Sequence, residues 1–376
     1  MKIALIHMRH AHTGGTELFL NVISRYLAEK GEEVTIICRT HVEPSHPNIK
    51  FVKLGGFSVG KSHRIWKFAK DVEKHLATHD YDFVYGLGKT WSHDMLRIGG
   101  GTRMHLVDTM RSGKPNLKDR VAIAIERKSM AVGAYRHIVA NSYKSAEEIQ
   151  QAYGVPNDKI SVIHNFVDTK RFSAEPIKEK VAALKQQLQL DEDKPTFLFL
   201  GSGYKRKGLN QALEAFAKLD FPATLLVVGR ENHPETYQNY AKELGIAEQC
   251  RFLGTHTEPE LFFSLADCYL LPTHYEPFGF TVIEALACGT PVITTEQCGA
   301  KEVLEPHVST VISAATEVEE LASAMHHWAQ YKGDEQLAYQ CRELALTLDV
   351  DVVMEKNYQQ ILSVYAEKMS QRQQGQ

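Results

Sequence analysis

Short apolar runs alternate with stretches of helical spacing along most of the chain. Lys2 to Met8 is a β-like apolar run, and Glu17 to Lys30 places Leu18, Val22, Ile23 and Leu27 on one helix face before Gly31 stops it. Val34 to Cys38 reads as a second strand. Between the first strand and the helix lies HAHTGGT, residues 10–16, so the order is strand, glycine loop, helix, strand: one βαβ unit with a helix N-terminus behind the loop. The loop is neither GxGxxG nor a P-loop, since no GKS or GKT follows. Residues 39–80 are largely polar and rich in His, Lys and Gly, and Ile65, Trp66, Phe68, Ala69, Val72 and Leu76 within them predict an amphipathic helix ending near His79. Tyr81 to Leu87 and Ile138 to Asn141 read as further strands.

The pattern restarts at Thr196. Phe197 to Leu200 is a fully apolar strand, followed by the loop GSGYKRKG and a helix from Leu209 to Leu219. Strands over Thr224 to Gly229, Cys250 to Gly254 and 268–272 follow, with a helix at 259–266, and the tail from Ala315 on is helical. Residues 173–195 between the two series are charged and Gln-rich, and read as a linker. Repeated strand–helix alternation predicts α/β architecture, and 376 residues are long for one core, so two domains are expected.

One stretch carries candidate chemistry. In EPFGFTVIEALACGTPVITT, Glu276 falls in a turn with Pro277 and Gly279, and a helix-like run follows until Gly289-Thr290-Pro291. Phe278, Gly279 and Phe280 then sit where the free N–H groups of a helix start favour an anion. Glu276 and Glu284 suit the vicinal hydroxyls of sugars and ribose, because a carboxylate accepts two hydrogen bonds from a diol. Lys205, Arg206 and Lys207 stand together after the strand at 197–200, where they would repel each other without an anion; a diphosphate would supply it.

Charge is divided. Residues 1–168 carry 24 Lys and Arg against 17 Asp and Glu, a net of +7, while the rest is at −10. The first part therefore favours anionic partners: a phosphorylated acceptor, an anionic membrane or nucleic acid. From Thr102 to Ala140 eight cations meet three acids, interleaved with Met104, Leu106, Met110, Val121, Ile123, Ile125 and Tyr135. That composition suits either a helix lying on an anionic membrane or an ordinary amphipathic helix with a solvated basic face. Nucleic acid is disfavoured, since no recognition motif accompanies the charge and the other part is acidic. No run of 18 apolar residues occurs, and the N-terminal apolar segment is too short for a signal peptide. Six cysteines without a CxxC read as buried free thiols in a cytoplasmic protein.

The E-x7-E stretch with its trailing ACGTPV resembles the signature of the retaining glycosyltransferases of family 4. ISVIHNFVDTKRF, 160–172, is similar to the family's hinge stretch, with His164 and Phe166 in place of the usual Pro and Gly. The resemblance implies a GT-B fold: two facing Rossmann-like doubly wound domains with a cleft between them. The domains would be 1–172 for the acceptor and 196–351 for the nucleotide sugar, with a terminal helix at about 352–369 packing back on the first. It carries Gly14 and Gly15 over as contacts to the donor diphosphate or the acceptor, and His105 as the histidine facing the donor sugar. Lys207 matches the family's diphosphate lysine; the arginine position holds Ser202, so Arg206 is the candidate substitute. The strand ends before Arg230 and at Gly254 would cradle the base. Glu276 would position the sugar hydroxyls and Glu284 the ribose diol.

GLGKTWSHDML and GGGTRMHL, with the KRKG loop, look most like the lipopolysaccharide core glucosyltransferase I group. This implies transfer of glucose from UDP-glucose to the heptose region of lipopolysaccharide core, with anomeric retention, at the inner face of the cell membrane. The alternatives are a family 4 transferase using a UDP-N-acetylhexosamine or GDP-mannose to build a polysaccharide or glycolipid, and a GT-B nucleotide-sugar epimerase. No cofactor is expected besides the nucleotide sugar. Asp191-Glu192-Asp193 lies in the linker and Asp349-Val350-Asp351 between helices, so neither is expected to hold a metal.

Overall fold

The computed structural model describes residues 1–11, 14–42 and 46–374; His12 and Thr13 of the glycine loop, and 43–45 of the polar stretch, lie outside them. The chain forms two compact units, Met1–His164 with Asp351–Gln376, and Asn165–Val350.

In unit 1 the order is β1 (Lys2–Ile6), α1 (Gly15–Glu29), β2 (Glu33–Cys38), β3 (Ile49–Lys53), α2 (Gly60–Leu76), β4 (Phe83–Gly86), β5 (Met95–Ile98), α3 (Arg103–Arg111), α4 (Leu117–Ser129), β6 (His137–Ala140), α5 (Tyr143–Tyr153) and β7 (Ile160–Val162). The strands form one parallel sheet in the order β3-β2-β1-β4-β5-β6-β7. β1 and β4 are buried on both faces, as a sheet covered by crossover helices requires.

Unit 2 follows with α6 (Lys178–Gln187), β8 (Thr196–Leu200), α7 (Tyr204–Lys207), α8 (Leu209–Phe216), β9 (Thr224–Val228), α9 (Pro234–Glu243), β10 (Cys250–Gly254), α10 (Pro259–Leu265), β11 (Cys268–Leu271), α11 (Phe280–Ala287), β12 (Val292–Thr295), β13 (Ser309–Ile312), α12 (Val318–Ala329) and α13 (Glu335–Leu346). Its parallel sheet runs β10-β9-β8-β11-β12-β13. Counted within the unit this is 3-2-1-4-5-6, the doubly wound Rossmann order, and unit 1 repeats it with one strand more. In such sheets ligands bind beyond the strand C-termini where the order reverses, next to β1 and β4 in unit 1 and β8 and β11 in unit 2.

The division falls after His164 rather than after Phe172. Phe166, Val167 and Phe172 are buried, and Val167 and Phe172 join the core of unit 2. Val167 N–H donates to the Leu348 carbonyl at 3.0 Å. The expected linker at 173–195 is also part of unit 2: α6 packs on α10, and Val181, Leu184, Leu188 and Leu190 lie against the core. The last helix, α14 (Val350–Gln374), belongs to unit 1, where Asn357 accepts from the Tyr85 hydroxyl and Lys368 reaches Asp82 and Asp94.

The basic segment is two helices rather than one. Asn116 and Asp119 form a capping box that starts α4 afresh, and Ser112, in the left-handed region at φ 50°, ends α3. No helix among the described residues is long and apolar enough to cross a membrane. All six cysteines are buried free thiols.

Candidate active site

Three loops meet at the switch point of unit 2. After β8, Gly201-Ser202-Gly203 leads into α7, so the expected KRK loop is one helical turn between Gly203 and Gly208, both in the left-handed region. That turn directs Arg206 and Lys207 at the segment after β11. The Arg206 guanidinium donates to the Tyr275 carbonyl at 2.6 Å and to Glu276 Oε2 at 2.9 Å, and Lys207 Nζ lies 3.2 Å from the same oxygen. Lys207 gets there by lying across Gly201, where a Cβ would fall 2.6 Å from its stem; at φ 151° and with that neighbour, only glycine fits. The anion expected beside these cations is thus, in this structure, the chain's own Glu276.

The Glu276 turn is clamped from the other side. Glu276 N–H donates to Gln297 O at 3.1 Å, Gly299 N–H to Glu276 O at 2.9 Å, and Ala300 N–H to Phe278 O at 2.7 Å. Gly279 takes φ 106° as the residue before α11, and a Cβ there would meet Cys298 Sγ at 3.0 Å. Among the described residues no hydrogen bond uses the N–H groups of Gly279, Phe280 or Thr281, so the helix start is open as expected. Phe278 is buried, and the half-buried Phe280 packs edge-on against Phe166, 5.9 Å between centroids.

The two carboxylates differ electrostatically. Burial works against the charge of Glu276, but the Lys207 ammonium and the Arg206 guanidinium outweigh it and hold the carboxyl below its usual range. Glu284, in the second turn of α11, is half-buried, and among the described residues no hydrogen bond or ion pair reaches its carboxylate. Burial pushes its carboxyl up to about 7, against the attraction of Arg171 and Lys207.

Arg230 is exposed after β9, its N–H 3.4 Å from Ser202 Oγ, which joins it to the same loop group. Sequence reasoning missed the residues that hold these loops. The Tyr204 hydroxyl donates to Gly229 O at 2.9 Å, and Thr273 Oγ1 donates to Arg206 O at 3.0 Å. An aromatic opening a glycine-rich turn was the only signal of the first.

Gly14, Gly15 and His105 lie in unit 1. Gly14, at φ 110°, precedes α1, and a Cβ there would meet Glu17 Oε2 at 2.3 Å; Gly15 opens the helix. The His105 backbone is bound by the Thr102 cap at 3.1 Å, and its Nε2 lies 3.6 Å from Glu148 Oε1. Both aspartate pairs serve local structure: Asp191 pairs with Lys194 at 2.8 Å, and Asp349 accepts from the Thr169 hydroxyl.

Residues 180–345 match the family model described as Glycosyl transferases group 1, and residues 13–171 match Glycosyltransferase Family 4. The lipopolysaccharide glucosyltransferase WaaG of Escherichia coli K12 is 23% identical over 327 residues, 85% of this chain and 87% of that protein. A D-inositol 3-phosphate glycosyltransferase of Thermobispora bispora is 26% identical over 343 residues, covering 80% of this chain and 78% of its own. Among solved structures, WaaG superposes with a TM-score of 0.81 at 22% identity, over 96% of this chain and 99% of that one. Anabaena HepE in complex with UDP-glucose superposes with a TM-score of 0.72 at 19% identity, over 99% and 100%. These likenesses support the GT-B fold.

Proposed function

The chain belongs to the group 1 glycosyltransferases, family 4, of the GT-B fold, and from that premise we propose that it transfers glucose from UDP-glucose, with retention, to a hydroxyl in the heptose region of a lipopolysaccharide core. The observation that carries the reading is the pairing of Arg206 and Lys207 with Glu276 at the switch point of unit 2. In the resting protein the carboxylate satisfies both cations. A donor diphosphate carries more charge and more acceptor oxygens, so it takes the cations over. Glu276 is then released to accept hydrogen bonds from the sugar hydroxyls. Arg230 lies within reach of the donor from the β9 end, and Glu284 accepts from the ribose diol.

In the step itself the bond from the anomeric carbon to the diphosphate oxygen breaks with its electron pair leaving on the diphosphate. The acceptor oxygen bonds to the same face of that carbon, and its proton passes to the departing oxygen. Arg206, Lys207 and the open N–H groups before α11 stabilise the charge that develops there, which is where a transition state profits most from fixed donors. Because cations of the chain do this work, the reaction needs no divalent metal. His105 contributes from unit 1 as the histidine facing the sugar, and Gly14 and Gly15 admit the diphosphate or acceptor to the backbone. The same reading holds the protein peripherally on the inner face of a membrane through 102–140.

A donor panel tests this. UDP- and GDP-sugars are titrated with EDTA present, following thermal stabilisation and slow nucleotide release. Stabilisation by UDP-glucose with release of UDP is expected. Selective response to a GDP-sugar or UDP-N-acetylhexosamine would replace the donor, isomerisation of the donor without an acceptor would make the protein an epimerase, and no response to any nucleotide would end the reading.

A further inference from the structure

The segment with which unit 2 begins ties the loops of its site together. Residues 165–172 enter the unit through Val167 and Phe172, which join its core. Asp168 fixes the turn between them. Its Oδ1 accepts from the N–H groups of Lys170 at 3.1 Å and Arg171 at 3.0 Å, and its carbonyl accepts from Phe172 N–H at 2.8 Å. From this anchored turn three contacts reach the site.

The first is at the start of α11. Gly279 has no side chain, so its open N–H group and those of the next two residues point where Phe278 and Phe280 hold the backbone. Phe278 is fixed: it belongs to the core of unit 2, and its carbonyl accepts Ala300 N–H at 2.7 Å. Phe280 is only half-buried and lies outside that core. Among the described residues its ring meets two other aromatic rings edge-on, Phe278 at 6.4 Å and Phe166 at 5.9 Å between centroids. Phe166 is 2% exposed, and a glycine at its place could not make the contact.

The second contact is at the other end of the same helix. The half-buried Arg342 donates to the carbonyl of Ala287, the last residue of α11, at 2.8 Å, and to those of Thr169 and Phe172, each at 3.1 Å. A helix of eight residues is too short to hold itself, and burial seats only its apolar face, so ties at its two ends matter. The third contact is Arg171, whose guanidinium donates to the Thr257 carbonyl at 3.2 Å and to Glu260 at 3.1 Å. Those residues follow β10, on the side where a nucleotide base is expected. Burial pushes the Glu284 carboxyl up, and Arg171 is the leading attraction against it.

We infer that Phe166 and Arg171 are positioning residues of this site: through them the segment 165–172 sets where the open N–H groups of 279–281, Glu284 and the turn after β10 stand relative to Arg206 and Lys207. Calling what they position a donor site rests on the transferase reading; the ties themselves do not, since all of them lie within unit 2.

Three variants of the full chain test this: Phe166→Ala, Phe166→Leu and Arg171→Met. Amide hydrogen exchange is read by mass spectrometry over 255–261, over 276–287 and over the sheet of unit 2, and slow nucleotide release is followed at saturating UDP-glucose. Phe166→Ala is expected to speed exchange over 278–284 about tenfold while β8 and β9 keep the wild-type rate. Its nucleotide release should slow about tenfold or more, with a smaller change in donor affinity, because the misplaced N–H groups serve the charge that develops in the transition state. Phe166→Leu, which keeps an apolar side chain against Phe280, should recover most of both. Arg171 is exposed, so Arg171→Met folds even where Phe166→Ala does not; it should speed exchange over 255–261 and raise the Kd for UDP about tenfold, as loss of a charge-assisted hydrogen bond implies. Wild-type exchange over both stretches in the variants, or an acceleration spread evenly over the sheet of unit 2, would overturn the inference, as would unchanged release and affinity. Local acceleration in a chain that no nucleotide stabilises would keep the ties and reject the transferase.

Discussion

Lys207 is the residue on which the leaving-group argument turns. Its ammonium sits 3.2 Å from Glu276 on a stem buried against Gly201, so replacing it by alanine removes the charge without leaving Glu276 unpaired, because Arg206 stays 2.9 Å away. Lys207→Ala should therefore fold and lose more in turnover, by about 10²-fold or more, than in donor affinity, the usual effect of deleting one preorganised charge donor that counts most in the transition state. Single-turnover rates against donor affinity check it, and a wild-type rate would remove the role. Glu284 makes a prediction about pH. An unfolded glutamate titrates near 4.3 and the folded one at about 7, so above 7 the folded chain carries the full penalty of an ionised, unpartnered carboxylate. The penalty shrinks as pH falls below 7 and vanishes below about 4. Glu284→Gln should then stabilise unit 2 by roughly 2 kcal/mol at pH 8 and by much less at pH 5. In the same variant UDP affinity at pH 8 should fall about tenfold. Urea unfolding and UDP titration at the two pH values read both effects, and equal stabilisation at both would show that the carboxylate is not held neutral. The spacing of Glu276 and Glu284 and the KRK turn were legible in the sequence because each motif is local. That Glu276 is the counter-ion of the two cations was not, since the partners are 70 and 69 residues apart.

Elements followed the apolar pattern where that pattern was unbroken. β1, β8, β9 and β11 are apolar runs, polar only at Lys2, Thr196 and Thr224 where three of them begin, and they stand where the sequence puts them. β3, β5 and β13 were missed for different reasons. β3 is an edge strand with two lysines in a polar stretch, β5 carries Arg97 inside an otherwise apolar run, and β13 begins with Ser and Thr. The charged linker hid α6, whose apolar contacts amount to a few partly buried side chains. α14 offers the sharpest test at this scale. Lys368 is buried there, donating to the Asp82 carbonyl and to Asp94 Oδ2, both at 2.8 Å. Asp94 also accepts from Val84 N–H at 2.8 Å and pairs with Arg136 at 3.3 Å. Lys368→Met keeps the packing volume and leaves Asp94 without its most buried cation, so unit 1 should lose about 2–3 kcal/mol. Asp94→Asn in the Lys368→Met background should recover part of that loss, and no coupling between the two in a double-mutant cycle would place the stability elsewhere.

On the scale of the molecule, the last 26 residues complete a unit whose other residues end at His164. That membership also sharpens the charge division: unit 1 carries 27 Lys and Arg against 19 Asp and Glu, a net of +8, and unit 2 stands at −11. The sequence showed the division, and the resemblance implied the return of the terminal helix. How much of unit 1 depends on that helix becomes legible only in the packing. α14 buries Val353, Met354, Ile361 and Val364 completely or nearly so, along with Asn357 and Lys368. Four such apolar side chains at about 1.5–3 kcal/mol each come to 6–12 kcal/mol, as much as the whole stability of an ordinary domain. Unit 2 has its own continuous core, and among the described residues that core includes none from 351 on. A chain ending at Val350 should therefore show one calorimetric transition, that of unit 2, still raised by UDP, with trypsin digesting the first 164 residues while unit 2 resists. Survival of a second transition would mean that the seven-stranded sheet stands without α14, and the burial argument would have overestimated the helix.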